Sequence, residues 1–303
     1  MPRASRGADV AAARLSRMAV ITRLRSLLFA PATRPDVLAK MPRSGPDGVV
    51  VDLEDAVAPD AKEAARPNAR EAGRALAGEH PGLAVFVRVN AVATEWFAQD
   101  VAEACVPELT GIVVPKMESS DHVATAARAL ADAGLAHLQV VAGTETALGV
   151  ADAREIYRPP VTVCYFGAED FVADMGGVRT QTSTEVLYAR SRVALLARIS
   201  GVLALDQVVT SFGDDEFFLA DAAQGRALGY TGKLCIHPAQ VPLAHRAFAP
   251  SPEEVDRARR LIDAFDAAIA RGEAVVAFDG QMIDEPLARH ARAVLAAAER
   301  SGT

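Results

Sequence analysis

Long apolar runs are missing from this chain of 303 residues. A membrane-spanning helix needs about 20 consecutive apolar residues, and the longest candidate, Val193 to Leu205, is interrupted by Arg198. No span is expected. Cysteine is scarce: Cys105, Cys164 and Cys235 are too few and too scattered for a disulfide scaffold or a Cys-rich zinc site. Cys164 and Cys235 fall within strand-like runs and read as reduced core residues. Net positive charge is absent too, and a balance of −7 excludes a nucleic-acid surface as the main purpose. With 50% apolar and 23% charged residues, the bulk of the chain is not disordered. A cytoplasmic globular protein with a sizeable core is expected, as one large domain or two small ones.

Residues 1–25 stand apart. They hold six arginines (Arg3, Arg6, Arg14, Arg17, Arg23 and Arg25) against one acid, Asp9, while the rest of the chain carries 26 basic and 38 acidic residues. The segment lacks the apolar core of a secretory signal. Its composition fits an organelle transit peptide or an extension upstream of a start at Met18. We adopt the second and set residues 1–22 aside as disordered or extraneous to the fold.

From Ser26 a short apolar or β-branched run alternates with an Ala-rich helical stretch. The runs are Ser26–Pro31, Gly48–Asp55, Ala84–Asn90, Gly111–Met117, Leu138–Glu145, Val161–Asp170, Gln207–Phe212 and Gly232–Pro238. Their near-continuous apolar character predicts burial on both faces, as in a parallel sheet. Helices are expected at Asp60–Leu76, Asp121–Ala133 with Asp121 as N-cap, Glu185–Ser200 and Asp214–Leu228. Eight such units in about 220 residues fit a (β/α)8 barrel at the compact end of the usual ~250. A doubly wound open sheet is the alternative. Its dinucleotide-binding form wants G-x-G-x-x-G after the first strand, where this chain has Pro31-Ala32-Thr33-Arg34-Pro35. The barrel is expected over 23–250 and a C-terminal helix–hairpin–helix extension over 251–303. That extension comprises Pro252–Arg271, a hairpin on Asp279-Gly280, and Pro286–Arg300. It is either a clamp on the barrel's bottom or a lid on a site.

In a barrel of this kind chemistry sits at the C-terminal ends of the strands. Those ends carry Asp52, Glu54 and Asp55, then Arg88 and Asn90, Lys116 and Glu118, Glu145, Glu169 and Asp170, and His237. By alternation Asp52 shares a face with Glu54, and Arg88 with Asn90. Glu145 and Asp170 end neighbouring strands, and two carboxylates suit a hard cation such as Mg2+, which keeps several waters. No Cys/His pair has zinc spacing. Arg88 would offer a fork to a substrate carboxylate or a developing enolate oxygen. The alternative assigns Arg88 to neutralising Glu54 or Asp52, and Asp170 to capping the next helix. Gly229 to Lys233 resembles part of a phosphate loop but reads as a turn. Ser183 and Ser191 lack a neighbouring base. Trp96 either lines the site or packs on the following helix.

Several motifs together resemble the citrate lyase β-subunit family, within the HpcH/HpaI aldolase group that also holds malyl-CoA and citramalyl-CoA lyases. They are RSLLFAPATRPD (Arg25–Asp36), VVVDLEDAV (Val49–Val57), FVRVN (Phe86–Asn90) and GIVVPKMES (Gly111–Ser119). GAEDF (Gly167–Phe171), LYAR (Leu187–Arg190), GKLCIHPAQV (Gly232–Val241) and DGQMIDEPLARHA (Asp279–Ala291) complete the set. The resemblance implies a (β/α)8 barrel, Mg2+ on Glu145 and Asp170, CoA thioester substrates, and homo-oligomers, trimers or hexamers. It assigns Arg88 to the substrate's carboxylate or oxo group, Arg34 and Lys40 to CoA phosphates, and Glu54 and Asp55 to orienting waters and Arg88. It assigns Asp284 to acid/base duty in a neighbouring subunit's site. Two positions depart from the family pattern: Ala32 replaces a glycine, and Thr144 adds a hydroxyl at the expected site edge. The implied activity is retro-Claisen or retro-aldol cleavage of citryl-, malyl- or citramalyl-CoA, releasing or condensing a 2-oxoacid with an acyl-thioester enolate. A 2-oxoacid aldolase without CoA, a malate-synthase or thioesterase-like activity, a subunit of a citrate lyase complex, and a silent ligand-binding barrel stay open.

Overall fold

The computed structural model describes residue 21 and residues 23–301, so the extension expected at residues 1–22 lies, apart from Ile21, outside the described residues. Eight parallel strands close into a barrel in sequential order. They are β1 (Ser26–Pro31), β2 (Gly48–Asp52), β3 (Ala84–Arg88), β4 (Gly111–Val114), β5 (Gln139–Thr144), β6 (Val161–Phe166), β7 (Leu203–Asp206) and β8 (Gly232–Cys235). β1 pairs with both β2 and β8, which leaves the sheet no open edge.

One cluster takes a residue from every strand: Leu27, Val50, Phe86, Val113, Val141, Val163, Leu205 and Leu234. Only the barrel's interior can bring these together, so the barrel is a packed core and not a pore. Each such side chain contributes roughly 1.5–3 kcal/mol on burial. The outward residues meet the helices, which explains why β2, β4 and β8 are buried along their whole length.

Seven strands lie within the expected runs; the seventh does not. β7 is Leu203–Asp206, and Gln207–Phe212 is irregular. The helix Leu187–Ser200 ends on Gly201, whose φ of 70° is the left-handed cap glycine adopts without strain. The apolar stretch Val193–Leu205 is therefore a helix end, a turn and a strand. The N-cap of the helix Ser120–Asp132 is Ser119, whose hydroxyl accepts from the His122 amide at 3.2 Å. Asp121 instead stands in the first turn, where its charge complements the helix dipole.

The chain divides into two compact units, the first ending at Ala244 and the second beginning at His245. In the second, the helix Pro252–Ala270 opens on a capping box of Ser251 and Glu254. Strands β9 (Val276–Phe278) and β10 (Gln281–Ile283) form a hairpin on Asp279-Gly280, both at positive φ. The hairpin packs Ile283, Val276 and Phe278 against Ala258, Leu261, Phe265, Ala288 and Ala291 of the flanking helices. All three cysteines are buried and free. Among the described residues no helix is long and apolar enough to cross a membrane.

Candidate active site

Strand alternation carries the inner layer up into the barrel's mouth. Asp52 follows Val50, Arg88 follows Phe86, Tyr165 follows Val163, and Glu145 follows Val141 and Gly143. With Asp55, Asp170 and others they line a cavity of about 450 Å3.

Register decides the partners of Arg88. Asp52 lies directly opposite it across β2 and β3. Arg88 Nε and Nη2 donate to the two Asp52 oxygens, both at 2.7 Å. Its Nη1 lies 2.9 Å from Glu54 and 3.4 Å from Asp55. The fork expected to face a substrate is thus occupied by Asp52; Arg88 reaches the cavity through its charge and its remaining edge. Asn90 does not share this face. β3 ends at Arg88, and Asn90 Nδ2 donates to Asp100 at 2.6 Å and to the Leu53 carbonyl at 3.2 Å.

Glu145 is buried, accepting from the Tyr165 hydroxyl on Oε1 and from the Lys116 amide on Oε2 at 3.1 Å. A Cβ at position 167 would come within 2.5 Å of Glu145 Cγ, so glycine there leaves the carboxylate its room. Asp170 does not cap its helix, Ala168–Asp174, which has no side-chain cap. Its carboxylate instead stands 3.4 Å from Lys116 Nζ. Glu145 and Asp170 form an oxygen-only donor set that fits a hard divalent cation. Among the described residues no group of three or more His, Cys, Asp and Glu is arranged to hold a metal. A cation here would complete its shell from water and a bound ligand.

Sequence reasoning placed Lys116 at a strand end but gave it no role. Its Nζ lies 2.6 Å from Glu54 Oε1, within reach of Asp170 as well, and its backbone has φ of 50°. The available signal was a lysine ending a strand of a barrel in which strands two, five and six end in carboxylates. Lys62, also missed, donates to the carbonyls of Leu53 and Glu54 at 2.9 and 3.1 Å and lies 5.0 Å over the Trp96 ring. It thereby anchors the turn that carries Glu54. A third omission was Asp206, hidden by the misplaced seventh strand. Buried Asp206 accepts from Arg190 at 2.8 and 2.6 Å and from Lys233 at 2.9 Å, and Asp221 completes the cluster.

Burial pushes the Glu54 carboxyl up to about 7, against the pull of Arg88. Burial also raises Glu145, opposed by Arg88 and the Tyr165 hydroxyl. For Lys116 burial works downward, but the hydrogen bond and charge of Glu54 outweigh it and the ammonium is strengthened.

Arg34 and Lys40 follow β1 at the mouth end and are exposed, with Arg34 bound to Asp36 at 3.0 Å and Lys40 3.9 Å from it. Thr144 does not edge the site: it is fully buried and its hydroxyl bonds that of Tyr157 at 2.7 Å. Asp284, in the second unit, accepts from the Leu287 amide at 3.4 Å. Gly229 to Lys233 is a turn, with Gly229 capping a helix and Lys233 already on β8.

A family profile described as HpcH/HpaI aldolase/citrate lyase matches residues 25–238. The chain is 54% identical over 275 residues to a citrate lyase subunit beta-like protein of Deinococcus radiodurans, covering 90% of this chain and 96% of that one. It is 33% identical over 277 residues to a (3S)-malyl-CoA thioesterase of Cereibacter sphaeroides, covering 91% and 94%. A crystal structure of protein CitE from Mycobacterium tuberculosis in complex with magnesium, acetoacetate and coenzyme A superimposes with a TM-score of 0.76. It is 34% identical, covering 92% of this chain and 99% of that one. With its closed eight-stranded barrel and acid-lined mouth, the chain belongs to the HpcH/HpaI aldolase/citrate lyase family and is an enzyme of the carbon–carbon lyase class.

Proposed function

We propose that the chain cleaves, or in reverse forms, a carbon–carbon bond of a 3-hydroxy-carboxyacyl thioester such as citryl-, malyl- or citramalyl-CoA. The products are a 2-oxoacid and an acyl-thioester enolate, and Mg2+ is held by Glu145 and Asp170. The observation that carries this is one cavity lined by an oxygen-only carboxylate pair and the Arg88 guanidinium. The magnesium, acetoacetate and coenzyme A of the Mycobacterium relative support the same ligand classes here.

Bound there, Mg2+ would polarise the substrate's carboxylate and adjacent hydroxyl or oxo oxygen. The protein's part is orientation and charge. Tyr165 and the Lys116 amide hold Glu145 in one pose. Asp52 locks Arg88, so its charge is fixed beside the developing oxygens before reaction, where preorganised electrostatics lowers the barrier most. Glu54 and Asp55 orient Arg88 and cavity waters. Arg34 and Lys40 at the rim receive the CoA phosphates. Asp284, supplied by a neighbouring copy in a homo-oligomer, moves the proton at the enolate carbon.

The test is a thermal-shift panel of Mg2+ with oxaloacetate, pyruvate or glyoxylate, with and without acetyl-CoA. It is followed by product analysis on malyl- and citramalyl-CoA. Mg2+-dependent stabilisation by a 2-oxoacid and release of an acyl-CoA are expected. No shift with any 2-oxoacid would overturn the proposal. The Cereibacter relative favours thioester hydrolysis as a second reading, for which the product would be free CoA.

A further inference from the structure

Lys116 touches both carboxylates assigned to the cation. Its backbone amide donates to Glu145 Oε2 at 3.1 Å, and its ammonium stands 3.4 Å from Asp170 Oδ1. The same ammonium reaches Glu54 at 2.6 Å and lies 3.8 Å from Asp55. A non-glycine residue at positive φ persists only where its surroundings hold it there. For Lys116, at 50°, the result of that turn is visible: the amide faces Glu145 while the side chain crosses the mouth to Glu54 and Asp170.

We infer that Lys116 is a positioning residue that sets the cation affinity of the Glu145–Asp170 pair. Its amide orients Glu145, and its ammonium competes with the cation for Asp170. The inference rests on the assignment of the cation to that pair. A divalent cation on Asp170 and an ammonium within 4 Å of the same carboxylate repel each other, and in a half-buried mouth salt screens that repulsion poorly. Glu54 is the closer and more buried partner of the lysine. Lys116 therefore keeps a counter-charge when it yields Asp170. The consequence is a cation held weakly by the protein alone and more firmly once a substrate's oxygens join its shell. Lys116 thus couples cation retention to substrate binding.

Isothermal titration of Mg2+ into the full chain, without substrate, tests this on wild type, Lys116→Met and Lys116→Arg. Thermal melts check that each variant is folded. Lys116→Met retains the amide and removes the charge, so Mg2+ should bind about tenfold tighter, the scale on which groups adjoining a ligand tune metal affinity. Lys116→Arg should stay near wild type. If wild type binds too weakly for a resolved isotherm, the appearance of one in Lys116→Met is the expected tightening. A lysine that merely supported the structure would weaken binding when removed; unchanged or weaker binding in Lys116→Met overturns the inference. Should that variant not fold, Lys116→Gln is judged by the same criteria. Glu145→Ala separates the two levels. If it leaves wild-type Mg2+ binding intact, the cation site and this inference both fall. If it abolishes binding while Lys116→Met fails to tighten it, the inference alone falls.

Discussion

Arg88→Lys is the substitution in which structure and chemistry make separate demands. The wild-type guanidinium makes two hydrogen bonds of 2.7 Å to Asp52, and its Nη1 faces Glu54 at 2.9 Å. Asp52 is only 2% exposed, so its carboxylate depends on those donors. Lysine keeps the positive charge but is shorter and has no planar fork. It can replace at most one of the two bonds. Asp52 retains its contacts with the Glu54 amide at 2.9 Å and the Ala56 amide at 3.4 Å, which limit the damage. The lost charge-assisted bond is worth about 1.5–3 kcal/mol, and that is the expected fall in unfolding free energy. Turnover should fall further, by roughly 10²–10³, because a mobile ammonium no longer holds charge beside the reacting oxygens. Urea denaturation measures the first quantity. Steady-state cleavage of the thioester by protein verified as folded measures the second. A stability loss of the stated size with near-normal turnover would make Arg88 an ion-pair partner of Asp52 and nothing more, and would refute the assignment to catalysis.

Tyr165→Phe removes the hydroxyl that serves Glu145 but leaves the ring in the barrel's core; Mg2+ affinity by calorimetry should fall about 10–100-fold with the fold retained. Lys233→Met strips the shared ammonium from buried Asp206 and Asp221 and should cost about 3–5 kcal/mol in urea denaturation; a loss within about 0.5 kcal/mol would show the cluster tolerates the gap. Glu54 ionises near 4.5 when unfolded but near 7 in the folded chain, so the stability it contributes is complete below 4.5 and disappears as pH rises through 7. Glu54→Gln should remove that decline, about 3 kcal/mol, when unfolding free energy is measured below pH 4.5 and again above pH 7. Asp284→Asn should leave Mg2+ and oxaloacetate binding unchanged and abolish proton exchange on the thioester, followed by NMR in deuterated water. Normal exchange would remove Asp284 from the mechanism.

Much of this fold is written locally. Runs such as Gly48–Asp52 and Gly111–Val114 are apolar on both faces, and only a sheet covered on both sides accepts that. The period of two carries Val50 to Asp52 and Phe86 to Arg88, so these polar strand ends were placed at the mouth before any partner was known. Asp279-Gly280 demands a hairpin because both positions tolerate positive φ. Glu145 follows its strand directly and Asp170 stands one helical turn past Phe166, so the sequence itself places both acids just beyond neighbouring strands.

Long-range closure decided the rest. Val193–Leu205 is one apolar stretch in sequence. Only pairing of Leu203–Leu205 with β6, and of Leu205 and Asp206 with β8, shows where the helix stops and the strand begins. Asn90 was assigned by extending alternation past Arg88, and Thr144 to the site edge by comparison with the family pattern; neighbouring side chains, Asp100 and Tyr157, claim them instead. The ownership of the Arg88 fork follows from β2–β3 register, which places Asp52 across from it. Lys116 meets Asp170 because the barrel's curvature brings the ends of β4 and β6 together across β5. A sequence can say which residues carry charge and which face of a strand they share. Which of them meet is set by register and closure, through contacts between residues far apart along the chain.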